Sequence, residues 1–176
     1  VVLKHASHTL LVAERFQQAF DKAGLPKGVF QHLVLNHAQT GQIISGGLVN
    51  AVCFTGSVEG GRVMERAAAG RFLHVGLELG GKDPAYVRAD ANMAHAVENL
   101  VDGAFFNSGQ SCCGIERIYV HKDVWKPFID GFITLTRSYV LGNPLDEATT
   151  LGPMIKADAA AFVRRQVSSA VRAGAK

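Results

Sequence analysis

The chain has 176 residues, 48% hydrophobic and 19% charged, enough apolar material for one sizeable core or two incomplete ones. Its net charge of +3 comes from interspersed basic and acidic residues, which read as a solvated face and argue against nucleic acid as a partner. No apolar run approaches the roughly 18 residues of a membrane span, and no signal peptide opens the sequence, so no membrane role is predicted.

Apolar runs of strand length alternate with helical patterns through the first half. VVL (1–3) reads as a buried strand, and TLLVAERFQQAFDKAG (9–24) as a helix closed by Gly24 ahead of Pro26. VFQHLVL (29–35) is a second strand, TGQIISGGL (40–48) a short helix and VNAVCF (49–54) a third strand. GSVEGGRVMERAAAG (56–70) reads as a helix with Ser57 as N-cap and Gly70 at its C-terminus, and RFLHVGLEL (71–79) as a fourth strand. This β-α-β-α rhythm predicts a parallel sheet with crossover helices. GGKDP (80–84) breaks it and is the expected domain boundary. Beyond it AYV (85–87) is strand-like, and NMAHAVENLVDGAFFN (92–107) is a helix entered through Asp90. IERIYV (115–120) is a strand, 123–140 a helix with Pro127 in its first turn, 142–155 a loop and 156–174 a last helix. Trp125 and the phenylalanines of 123–135 are expected to form a core-facing stripe.

Three cysteines, two of them adjacent, make a disulfide framework a poor reading and a reducing, cytoplasmic compartment a better one. The seven histidines are dispersed and predict no metal site. The sequence opens on VVLK without an initiator Met and stops in a helical pattern at VRAGAK, so a segment of a longer protein is expected.

Three stretches carry chemistry. In CFTGSVEGG (53–61) a strand runs into a helix through Gly56 and Ser57; the free N–H groups there could hold a phosphate, or the turn could be purely structural. It is not the G-x-G-x-x-G fingerprint. In GLELGGK (76–82) Glu78 is flanked by Leu77 and Leu79, so its carboxyl is expected to be desolvated and usable as a general base; the bland reading pairs it with solvent or Lys82. Gly80 and Gly81 let the backbone turn sharply or approach a ligand closely. In FFNSGQSCCGIERIYV (105–120) two cysteines follow a stretch too polar for a core strand, which suits a reactive loop; the bland reading is two small buried hydrophobes.

Taken in order, VLK, FTGS, LELGGK, F-x-N-x-G-Q-x-C and the following Arg117 resemble the NAD(P)-dependent aldehyde dehydrogenase superfamily over essentially the whole chain. The 34 residues from Glu78 to Cys112 match that family's spacing as well. The resemblance implies an α/β fold. Residues 1–81 would be the later half of a Rossmann-like cofactor domain, and 82–176 the start of an α/β catalytic domain that carries the thiol.

It also implies roles. Cys112 matches the nucleophile, with Cys113 a packed neighbour, and Glu78 matches the general base. Lys4 matches the lysine that reaches the adenosine ribose, while Gly56 and Ser57 fall where the pyrophosphate rests, with Gly61 one turn on and Leu79 nearby. Ser7 stands where many NAD-preferring members carry a ribose-binding Glu, so both NAD and NADP are compatible. Phe106 and Ser111 match positions lining the aldehyde tunnel. The implied reaction attacks an aldehyde with the Cys112 thiolate, passes hydride to the nicotinamide and hydrolyses the resulting thioester with water activated by Glu78. The whole protein would be a homodimer or homotetramer. Its oxyanion asparagine would lie upstream of VLK, and its Glu-x-Phe-Gly-Pro segment downstream of Lys176. A CoA-acylating relative and an inactive, truncated cofactor-binding module are the alternatives; retention of Glu78 argues against the first.

Overall fold

The computed structural model describes residues 1–176, and the chain divides into two compact units, Val1–Leu79 and Gly80–Lys176. Every strand pairing is parallel, in three separate two-stranded pairs joined through helices, so the protein is α/β.

In the first unit β1 (Val2–Leu3) leads into α1 (Leu10–Lys22) and then β2 (Gln31–His32), with Val2 opposite Gln31 and Leu3 opposite His32. This ladder is far shorter than the apolar pattern of residues 29–35 suggests. It ends where the chain leaves Leu3 for the irregular segment 4–9, so Leu33 and Val34 lie beyond the strand and exposed. The α2 helix (His37–Ser45) starts three residues earlier than expected, because Asn36 and Gln39 form a reciprocal capping box. Next come β3 (Ala51–Thr55), α3 (Val58–Ala68) and β4 (His74–Glu78), with β3 and β4 in register from Ala51–His74 to Thr55–Glu78. Ser57 caps α3 as the sequence predicts, its hydroxyl accepting the Gly60 N–H at 3.1 Å. Gly70 follows the helix at φ +73°, a left-handed conformation that a β-carbon would strain. Ile44, Met64 and Ala68 form the buried centre, with Val52, Phe54, Val75 and Leu77 packed on it.

In the second unit β5 (Asp83–Val87) pairs with β6 (Ile115–Val120), with α4 (Met93–Phe105) between them. The cap of α4 is Asn92, which accepts the His95 N–H; Asp90 instead takes a two-pronged ion pair from Arg88 at 2.9 Å. After α5 (Trp125–Arg137) a long irregular stretch runs to α6 (Ala157–Arg172), interrupted only by one bridge between Leu141 and Leu151. The core here is Val87, Val97, Val101 and Phe128, with Phe132 at 5.6 Å from Phe128, centroid to centroid. Trp125 stands apart from the expected stripe, exposed at the start of α5.

Phe128 is 2% exposed and anchors α5 to α4. Phe128→Ala in the whole protein is expected to lose about 3–5 kcal/mol of unfolding free energy, read by denaturant titration.

Candidate active site

The segment that presents Cys112 begins at the end of α4. Gly103 lets that helix lie directly on β6, since a β-carbon there would come within 2.9 Å of Ile115 Cγ1. Past Phe105 the chain makes one tight turn, Phe106–Gly109, in which three consecutive residues are left-handed: Asn107 at φ 51°, Ser108 at φ 60° and Gly109 at φ 72°. For a residue with a β-carbon that conformation costs about 1–2 kcal/mol.

Hydrogen bonds offset the cost, each worth about 0.5–1.5 kcal/mol net. Asn107 Nδ2 donates to the Gln110 carbonyl at 3.1 Å, and Gln110 Nε2 donates back to the Asn107 carbonyl at 2.9 Å. Two further bonds tie the turn to distant chain. Ser108 Oγ donates to the Gly152 carbonyl at 2.5 Å, and the Ile155 N–H donates to Gln110 Oε1 at 2.8 Å.

Cys112 and Cys113 occupy the next turn, closed by the Gly114 N–H on the Ser111 carbonyl at 3.3 Å. Both thiols are free and exposed. Cys113 is therefore not the packed neighbour expected; its Sγ lies 3.3 Å from Ser111 Oγ. Ser111 is half-buried and Phe106 is 63% exposed. A β-carbon at Gly81 would sit 2.9 Å from the Cys112 carbonyl oxygen. The close approach at Gly81 is therefore to the Cys112 backbone. Lys82 beside it forms an ion pair with Glu116 on β6.

Glu78 ends β4, where its carbonyl accepts the Gly56 N–H at 3.0 Å. Its side chain is exposed, so the desolvation expected from its two leucine neighbours is absent. Strand alternation explains the difference. Leu77 and Leu79 point together to the α3 side, where both pack on Gly61, and Glu78 points away. Gly61 is buried because a β-carbon would meet the Leu79 methyls at 3.0 and 3.1 Å.

Lys4 and Ser7 come together in the wall of a cavity of about 1000 Å³, with His5, Asn36, His37, Thr40 and Thr55. No carboxylate lines it, and Lys4 is its one permanently charged side chain. Gly56 and Ser57 continue from Thr55 into α3. At Gly56 and again at Gly60 a β-carbon would come within 2.6 Å of the Phe54 ring, so an alanine at either place requires that ring to move. Glu59, in the first turn of α3, is bridged by Arg66 and Arg62, which hold its carboxyl below the usual carboxylate range. Its contribution to stability is thus present above the ordinary carboxylate pKa and is lost only as pH falls through the lowered value.

Cofactor-type and thiol-type geometry in the motif order set out above are both on one chain, and comparison with known proteins gives them a family. The family model described as "Aldehyde dehydrogenase family" matches residues 1–176. This chain belongs to the aldehyde dehydrogenase family. It is 37% identical over 177 residues to a 3-sulfolactaldehyde dehydrogenase of Priestia megaterium, covering all of this chain and 37% of that protein. It is 38% identical over 178 residues to a D-glyceraldehyde dehydrogenase (NADP(+)) of Thermoplasma acidophilum, covering all of this chain and 36% of the relative. Among solved structures, lactaldehyde dehydrogenase from Escherichia coli superposes with a TM-score of 0.93 at 35% identity, over 99% of this chain and 37% of that one. The aldehyde dehydrogenase segment described here thus spans a little over a third of the length of the relatives it matches.

Sequence reasoning named Cys112 and singled out Gly81, but missed the tethers of the preceding turn: Ser108 and Gln110, whose partners lie 44 and 45 residues further on. The polarity of NSGQS was the available signal, and it carried no information about partners. Gly81→Ala in the whole protein is expected to shift the Cys112 backbone and change the rate of its alkylation by iodoacetamide severalfold; peptide mass spectrometry would read this against Cys53.

Proposed function

We propose that the whole protein containing this chain oxidises an aldehyde to a carboxylic acid with NAD or NADP. The observation that carries the reading is Cys112, a free, exposed thiol in the turn that directly follows a strained and hydrogen-bonded one. The Cys112 thiolate bonds to the aldehyde carbon, and the carbonyl electron pair moves to oxygen, which donors that include the Cys112 backbone N–H would hold. NAD or NADP, when bound, would supply the hydride acceptor needed to bring the cysteine adduct from the aldehyde to the thioester oxidation level. Glu78, exposed and thus open to water, takes a proton from the water that attacks the thioester carbon; the carbon–sulfur bond breaks and the acid leaves.

The residues of the first unit fit such a dinucleotide. Lys4 and Ser7 would hold the adenosine end, and Gly56 and Ser57 at the α3 N-terminus would receive the pyrophosphate. Gly61 and Leu79 would keep α3 close to β4 behind it. Phe106 and Ser111 would face the aldehyde. The same reading makes the whole protein a homodimer or homotetramer of a reducing, cytoplasmic compartment, in keeping with three free cysteines.

Cys112→Ala is expected to abolish aldehyde-dependent NAD(P)H production by the whole protein, and full activity in that variant would overturn the reading. Glu78→Gln should keep a single-turnover burst of NAD(P)H while slowing steady turnover about 100-fold, measured by stopped flow.

The carboxylate-free wall around Lys4 and Ser7 favours NADP as an accepted cofactor, because nothing there repels a 2′-phosphate. Ser7→Glu should lower kcat/KM for NADP about 10-fold relative to NAD, as two steady-state titrations would show.

A further inference from the structure

We infer that Gln110 is a positioning residue for Cys112, coupling the cysteine turn to the segment Gly152–Ile155. The inference rests on the reading of Cys112 as the nucleophile. Gln110 is half-buried, two residues before the cysteine, and uses every polar group it has. Its backbone N–H and its Nε2 both donate to the Asn107 carbonyl, at 3.1 and 2.9 Å. Its own carbonyl receives Asn107 Nδ2 at 3.1 Å, and its Oε1 receives the Ile155 N–H at 2.8 Å. An amide is the side chain that meets both needs, since one end must donate to a carbonyl and the other accept from an N–H.

The geometry decides what this arrangement does. Residues 107–109 sit in a conformation that two of them disfavour, so the turn relaxes unless it is held. The inner bonds between Asn107 and Gln110 move with the turn and cannot fix it against the rest of the unit. Only the Ser108–Gly152 and Gln110–Ile155 bonds reach outside it. Of these, the Gln110 bond lies nearer the cysteine along the chain. The Cys112 carbonyl also abuts Gly81, so the cysteine backbone has a close packing contact on it and a hydrogen-bonded tether two residues before it. Segment 152–155 has no regular secondary structure, and this bond gives it a role in the chemistry without any contact with substrate.

The test is made in the whole protein with Gln110→Ala, Gln110→Glu and Ser108→Ala, with Cys112→Ala alongside. Gln110→Ala is expected to lower kcat about 10- to 100-fold, with KM for NAD(P) within about twofold of the parent. Gln110→Glu keeps an acceptor for the Ile155 N–H and loses the donor to Asn107, so it should recover part of kcat. Ser108→Ala, which loses only the outer bond to Gly152, should give a smaller loss in the same direction. The iodoacetamide alkylation rate of Cys112, localised by peptide fragmentation, should follow kcat across the series.

Native kcat and native Cys112 alkylation in Gln110→Ala would overturn the inference. If Gln110→Ala does not fold, the two milder variants decide. A reduced kcat at an unchanged thermal midpoint supports the inference, and an unchanged kcat overturns it. Cys112→Ala separates this from the reading beneath it. Activity surviving there removes the nucleophile assignment, whereas a dead Cys112→Ala with a fully active Gln110→Ala removes only the positioning role.

Discussion

Two hydrogen bonds, from Ser108 to Gly152 and from Ile155 to Gln110, join a left-handed turn to chain more than forty residues away. Much of the local structure around Cys112 is arranged to make them possible. A polar, glycine-containing loop that exposes a thiol would ordinarily sample many conformations, and fixing each residue costs about 1–2 kcal/mol. Here Asn107 and Ser108 carry left-handed strain as well. The inner bonds between Asn107 and Gln110 close the turn on itself, and the outer bonds fix it in the frame of the second unit. The irregular stretch between α5 and α6 gives up regular secondary structure and leaves its backbone groups free to serve as those partners.

Glycine supplies the complementary constraint. Where hydrogen bonds pull the turn into place, missing β-carbons let neighbours come close enough to define that place. Gly103 brings α4 onto Ile115 of β6, and Gly81 brings the strand entering β5 against the Cys112 carbonyl. In the first unit Gly61 does the same for α3 and Leu79 at the end of β4. Each contact would be 3.0 Å or less with an alanine, well inside what packed side chains accept without displacement.

The sequence was legible where a local cause was sufficient. β6 over residues 115–120 and the Ser57 cap of α3 follow from alternation, side-chain chemistry and spacing that act within a few residues. It was less legible where two local signals competed. Asp90 and Asn92 both suit a helix start, and the Arg88 guanidinium decides the matter by taking Asp90. The apolar run at 29–35 looks like a long strand, yet pairing lasts only as long as β1 stays beside it. At Glu78 the leucines on both sides suggested burial. Period-two alternation sends them to one face and the carboxylate to the other, so the flanking residues were evidence of exposure. The partners of Ser108 and Gln110 were beyond any local rule, because an amide and a hydroxyl in a loop do not reveal which backbone groups they reach.

That exposure changes how the two ends of β3 and β4 are understood. The Gly56 N–H on the Glu78 carbonyl ties the start of α3 to the strand end that presents the carboxylate. One backbone bond therefore sets both the helix N-terminus, where an anion is favoured, and the position of the acid. Placing two negative groups close together is normally unfavourable, and Glu59 in the first turn of α3 would add a third. Arg66 and Arg62 pair with Glu59 and offset part of its charge. The paired strands set where charge is presented, and the arginines of α3 set how much of it remains.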